Sequence, residues 1–288
     1  IISIVKNNTT TNPLKNSTCY VDNTDCYNII MKNTSMEGGE PIYSSSCIIN
    51  NMANHINVSN HSKHSDNILT FSTALNILKT NNIKSDIQTS PCYYINMDEG
   101  NYNENILSSY EHFNLIENLE IKGCGIDKTI LNINTNIYDY ESTYKHIFNL
   151  ESNVKIANLT INFIFKTTSH NIHSPHNNDI SLFYGVGVNN VIFDTVKINL
   201  MYSNDIAMDL NVFNFKNSEY KFTKGNINYN CSYALDSIQV FSNTYCFSKL
   251  QDIDFNINQT ICNTNKKNNC VIYCKNSFID INNCNFNK

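Results

Sequence analysis

The chain has 288 residues, a formal net charge of -5 and 54 Asn, nearly one residue in five; all 20 basic residues are Lys, with no Arg and no Trp. A charge of -5 spread over this length gives no electrostatic footprint for nucleic acid. No apolar run approaches the roughly 18 residues that a membrane-spanning helix needs, and the absence of Arg removes any mechanism built on a guanidinium fork.

Apolar residues make up 41%, enough for a sizeable core, and Ile, Val, Leu, Phe and Tyr dominate it, which favours strands. Eleven Cys point to an oxidising compartment, and the odd count leaves at least one thiol free or shared with another chain. The candidates for disulfides are Cys19, Cys26, Cys47, Cys92, Cys231, Cys246, Cys262, Cys270 and Cys274. Zinc would need paired C-x2-4-C motifs, and only Cys270-x3-Cys274 approaches one.

Residues 1–66 form one unit, an irregular, disulfide-tied extension rich in Cys, Asn and His. Within it Ile1 to Val5 suits an extended strand. The opening IISIVKNN has no basic stretch and no long apolar stretch, so it reads as the start of a mature chain after signal removal. Residues 67–288 form the second unit. It begins with a short amphipathic helix, with Leu69, Ala74, Leu75 and Leu78 near one face, Asp66 or Asn67 as cap and Asn81-Asn82 as its end.

After the helix the period changes from 3.6 to two, and a decamer recurs: φ-x-φ-x-turn-φ-x-φ-x-φ. It fits Val154–Phe163 and Val191–Leu200, and more loosely Tyr220–Tyr229, Ser248–Ile257 and Ile279–Lys288. With Leu119 as the first start, the spacings are 35, 37, 29, 28 and 31. Such a period means stacked units that bury one face on the next. Gly123, Asn158, Thr195, Asp252 and Asn283 mark the corner within each unit, where Asn can stack into a ladder. Cys124 and Cys284 fall at one inward template position, five units apart; they read either as core thiols or as a sign that rods stack end to end, and core packing is the commoner case. Asn-Gly and Asp-Gly, the hairpin dipeptides of a sandwich, do not occur. The expected fold is all-β: a right-handed parallel β-helix with a short N-terminal capping helix.

The helix, then Ile95-Asn-Met97-Asp-Glu99-Gly100-Asn-Tyr102-Asn-Glu104, then Leu119-Glu-Ile121-Lys-Gly123-Cys-Gly125-Ile-Asp-Lys-Thr129-Ile130-Leu131, resembles the opening of pectin-lyase-like β-helices. In those proteins a capping helix precedes a strand ending in G-x-Y-x-E, and I-x-G-x-G-x3-T-I follows. The resemblance covers roughly residues 67–288 and implies the fold; it places Asp98, Glu99 and Glu104 in a structural turn. The superfamily holds pectinesterases, lyases, polygalacturonases, phage tailspikes and non-catalytic surface proteins. Pectinesterases and pectate lyases use an Arg, which this chain lacks.

Few residues offer chemistry. Asp205 and Asp209 faintly resemble a polygalacturonase carboxylate run, without its Gly or its partner motifs. His170, His173 and His176 could gather a metal ion, although unpaired loop His is commoner. His55, His61 and His64 form a looser group. Sequons stand at Asn7, Asn8, Asn16, Asn33, Asn57, Asn60, Asn158, Asn230 and Asn258, about as many as this composition gives by chance. The leading expectation is a secreted or cell-surface structural glycoprotein without a cofactor, self-associating head-to-tail into a homopolymeric filament, coat or matrix. The alternatives are a polysaccharide-degrading β-helix enzyme and a non-catalytic glycan-binding module. A glycan-binding module would show a row of exposed tyrosines, with Tyr93, Tyr94, Tyr138, Tyr140 and Tyr144 as candidates.

Overall fold

The computed structural model describes residues 2–6, 28–34, 44–49, 54–58, 70–82, 93–106, 113–136, 145–166, 179–202, 209–231, 237–259 and 270–287. The N-terminal segment contributes β1 (Ile2–Lys6), β2 (Asn28–Thr34), β3 (Ser44–Ile49) and β4 (Asn54–Val58), and the helix α1 (Phe71–Asn82) follows. A first coil holds β5 (Tyr93–Met97), β6 (Gly100–Ile106) and β7 (Phe113–Asn114). The next holds β8 (Leu119–Lys122), β9 (Thr129–Asn136) and β10 (Lys145–Asn149). In later coils the first two strands fuse into one bent strand. The pairs are β11 (Lys155–Lys166) with β12 (Asp179–Val186), β13 (Val191–Tyr202) with β14 (Asp209–Lys216), β15 (Glu219–Cys231) with β16 (Ser237–Thr244), and β17 (Phe247–Gln259) with β18 (Cys270–Lys275). The last described strands are β19 (Phe278–Asn282) and β20 (Asn285–Asn287).

The strands stack coil on coil as a parallel β-solenoid. The large sheet runs β1-β3-β2-β4-β5-β8-β11-β13-β15-β17-β19, and the 6-stranded sheet runs β18-β16-β14-β12-β10-β7. Where the large sheet bends, β6, β9 and β20 extend its second half. The register aligns Val191 with Tyr220, Tyr220 with Ser248 and Ser248 with Ile279, as the decamer predicts. At the bend Asn158, Thr195, Lys224, Asp252 and Asn283 all have φ between 49° and 60°. The left-handed conformation turns the chain there, and short polar side chains tolerate it best. Lys224 joins the expected corner set. Gly123 meets the corner by another route: a Cβ there would lie 2.4 Å from the Asn158 carbonyl oxygen.

Alternation puts one residue in two inside. Phe148, Phe183, Phe213 and Phe241 stack in successive coils, with centroids 5.1, 5.1 and 4.9 Å apart and planes within 14° of parallel. Phe163 and Phe193 pack edge-on from the large sheet. Full burial of each ring is worth about 2–3 kcal/mol. This aromatic column was not read from the sequence, although Phe113, Phe148, Phe183, Phe213 and Phe241 recur with the spacing of the coils.

Helix α1 closes the first coil. Phe71, Ala74, Leu75 and Leu78 are buried, and the Phe71 ring lies edge-on to Phe113 at 5.2 Å. Its N-cap is Thr70, whose Oγ1 accepts from the Thr73 amide at 3.2 Å; the expected Asp66, Asn67 and Leu69 lie outside the described residues. The Ser72 amide and hydroxyl donate to the Glu104 carboxylate at 3.2 and 2.8 Å. Glu104, the final residue of the turn motif, therefore fastens the helix to β6.

Residues 1–66 contribute four strands to the same large sheet. β4 pairs parallel with β5, and β2 with β4; β3 pairs antiparallel with β2, and β1 parallel with β3. A disulfide tie there is not shown: Cys19 and Cys26 lie outside the described residues, and only the backbone of Cys47 is described. Cys124 is exposed instead of inward. Cys124–Lys128 loops out before β9, and Thr129 fills the inward place, fully buried. Cys284 is half-buried against the core.

Candidate functional site

The most regular surface feature of the rod is a ladder of side-chain amides. On the second half of the large sheet, Nδ2 of Asn132 donates to Oδ1 of Asn103 at 3.0 Å. Asn162 donates to Asn132 and Asn199 to Asn162, both at 2.7 Å. Asn228 donates to Asn199 and Asn256 to Asn228, both at 2.8 Å, and Asn287 to Asn256 at 2.9 Å. Identical side chains fall in register one coil apart, so each amide accepts from the coil after it and donates to the coil before it. Each interior amide thereby uses one of its two N–H donors and one oxygen lone pair in the ladder. A second ladder runs Asn190 to Asn153 to Asn118.

The main ladder is four residues beyond the bend and not at it, where the sequence reading placed it. The signal was present: each decamer from Val154 onward carries Asn at its ninth position. At the bend itself Asn283 donates to Asp252 at 2.6 Å and Gln251 to Asp252 at 3.1 Å. These two hydrogen bonds, with the Lys224 charge, hold the Asp252 carboxyl below its ordinary range. Asp194 accepts from Thr223 and Thr195 at 3.1 and 3.3 Å.

A buried polar cluster lies between β15, β16 and the start of β17. Tyr220 Oη donates to Asn243 Oδ1 at 3.0 Å, and Asn243 Nδ2 donates to Ser248 Oγ at 3.1 Å. Burial pushes both the Tyr220 hydroxyl and the nearby Cys246 thiol upward, so both stay protonated at neutral pH. A protonated, buried thiol is a packing group and not a nucleophile.

Strand β14 begins at Asp209, whose side chain is not described, and Asp205 lies outside the described residues. So do His170, His173, His176, His61 and His64, while His55 is described only by its backbone in β4. The described residues contain no group of three or more His, Cys, Asp or Glu able to hold a metal ion. Cys246 and Cys274 are free thiols here. Cys231 and Cys270 are described by backbone alone, and Cys92 and Cys262 lie outside. Among the sequons, Asn158 is half-buried at the bend, and the Thr160 hydroxyl of the same sequon is buried on the Ile126 carbonyl. Asn33, Asn57, Asn230 and Asn258 lie in strands with their side chains undescribed. Asn7, Asn8, Asn16 and Asn60 lie outside.

Of the tyrosines suggested as an exposed row, Tyr93 is buried and Tyr94 half-buried; Tyr138, Tyr140 and Tyr144 lie outside the described residues. Among the described residues the exposed aromatics are others: Tyr245 at 58%, Phe247 at 66%, Tyr273 at 44%, Phe278 at 61% and Phe286 at 51%. No protein-family model, curated protein or solved structure matches this chain.

Proposed function

We propose that the chain is a structural rod of an extracellular assembly, a secreted or cell-surface glycoprotein that polymerises with its own kind. The observation that carries this reading is the amide ladder running from Asn103 to Asn287. It devotes the most regular surface of the molecule to coil-to-coil hydrogen bonds between unreactive groups, which suits a stiff shaft. Eleven Cys support an oxidising compartment, in which the sequons would be available for glycosylation. Kinship with non-catalytic pectin-lyase-like β-helices belongs to the same reading. It is supported by the solenoid and by the docking of α1 through Glu104.

Head-to-tail growth would join the two outer strands of the large sheet. Among the described residues β1 pairs only with β3, and β19 only with β17, so they are the outer strands of the described sheet. Strand addition between such edges is β-augmentation, and a heterologous contact that does not close gives a filament. Electron microscopy of the native material is the test. End-to-end rods that disappear when residues 1–12 are deleted support the reading; unchanged assembly of the truncated chain overturns the head-to-tail joint. Mass spectrometry of the secreted protein checks glycan occupancy and cysteine oxidation.

A further inference from the structure

The outward side chains of the last two coils on the first half of the large sheet form a small, ordered patch. Phe247, Lys249 and Gln251 point out from β17, while Ser248 and Leu250 point in. Phe278, Asp280 and Asn282 stand beside them on β19, in register residue for residue. The two exposed rings lie 6.1 Å apart, and Lys249 Nζ lies 3.9 Å from Asp280 Oδ2. In the preceding coil the place of Phe247 is taken by Glu219. Two neighbouring phenyl rings turned to water on one strand face leave adjacent apolar area that a facing surface would bury.

The chemistry of the patch identifies its partner. A two-fold axis lying along the strands, midway between β17 and β19, carries one strand of a facing copy onto the other. Phe247 then faces Phe278 of the second molecule and Phe278 faces its Phe247. By the same operation Lys249 faces Asp280, and Gln251 faces Asn282. Apolar meets apolar, cation meets anion and amide meets amide, each twice, as an isologous interface demands. A polyanion would meet Asp280 and a polycation Lys249; the patch has no net charge to select either. We infer that this face pairs with a second copy of the chain, the two rods lying side by side with their axes opposed. The inference rests on the self-association proposed above, and it assigns a separate surface to it. The patch is smaller than a standard stable interface, so the pair is weak and concentration-dependent.

Sedimentation of the full chain over a concentration series, with electron microscopy of rod width, is the test. The wild type should form reversible side-by-side pairs. Replacing Phe247→Ser and Phe278→Ser together should weaken pairing by about 100-fold with an unchanged melting temperature, because both rings are exposed. Lys249→Asp alone and Asp280→Lys alone should each weaken it about tenfold, and mixing those two variants should restore it, since only the intermolecular contacts regain opposite charges. Unpaired wild type, pairing indifferent to the two Phe changes, or mixed variants that stay apart would each overturn the inference. Deleting residues 1–12 separates the two joints: it should remove end-to-end growth and leave the lateral pairs, so that failure of the end-to-end joint and failure of the lateral pair are read separately.

Discussion

Gly123 shows how little space a coil corner leaves. A Cβ at this residue would lie 2.4 Å from a backbone oxygen, 2.8 Å from Thr129 Cβ and 2.9 Å from Leu159 Cβ, and none of these is the free end of a flexible side chain. Gly123→Ala should therefore cost about 2–4 kcal/mol and lower the melting temperature by several degrees. Gly187 is the control: its φ of +70° favours Gly or Asn, and nothing lies within 4 Å of the added atom. Gly187→Asn should cost under about 1 kcal/mol. Glu104 makes a second prediction at this scale. Burial raises its pKa above the ordinary value of 4.5, against hydrogen bonds from Ser72 and Phe71 that act in the opposite direction. With the folded value raised, the contribution of this group is fully present below pH 4.5 and is lost as pH rises through the folded value. Glu104→Gln keeps an acceptor for the Ser72 amide and removes the titration. Its stability relative to wild type, followed by denaturant unfolding from pH 4 to 8, should therefore improve as the pH rises; a flat difference would contradict the burial argument.

At the scale of elements, the coil combines an inner aromatic column with an outer amide column, and the two differ in strength. Phe213 is fully buried between Phe183 and Phe241. Phe213→Ala opens a cavity the stacked backbone cannot close, at about 3–5 kcal/mol. Asn199 donates to Asn162 and accepts from Asn228. Asn199→Ala breaks both bonds, but the groups left behind are half-exposed and reach water, so the cost should be about 1–2 kcal/mol. Paired denaturation curves that gave the amide the larger effect would overturn this ranking. The legibility of the sequence follows the same division. The Val154 and Val191 decamers were readable because their period of two is unbroken and their turn residue is polar. The bend at Lys224 was missed because Lys is an unusual occupant of a left-handed residue, and its coil enforces it by other means. The next residue, Gly225, has no room for a Cβ, which would meet the Val196 carbonyl oxygen at 2.5 Å. Cys124 was misplaced because a five-residue excursion, Cys124–Lys128, interrupts the pattern, and a fixed-length template cannot absorb an insertion. The ladder was assigned to the wrong position because a corner Asn and a mid-strand Asn are indistinguishable until the register is known.

For the molecule as a whole, the consequence of stacking is that each coil is stabilised chiefly by its neighbours, so stability varies along the axis. The coils containing β11, β13 and β15 have a paired strand on both sides in the large sheet. The first coil depends on α1, which covers its core with Phe71, Ala74, Leu75 and Leu78. The helix in turn is held by Thr70 and Glu104. Phe71 touches rings of two different coils, Phe113 at 5.2 Å and Phe148 at 6.2 Å, so its loss should act locally first and then spread. Phe71→Ser should detach α1, raise amide exchange in β5, β6 and β7 by one to two orders of magnitude, and leave β13 and β15 protected until global unfolding. The same variant should bind a hydrophobic dye and associate end-on through the uncovered coil, because an exposed solenoid end presents apolar side chains beside unpaired strand edges. Uniform acceleration of exchange along the entire rod would mean instead that the solenoid opens as one cooperative unit, and that the helix serves the whole molecule and not only its first coil.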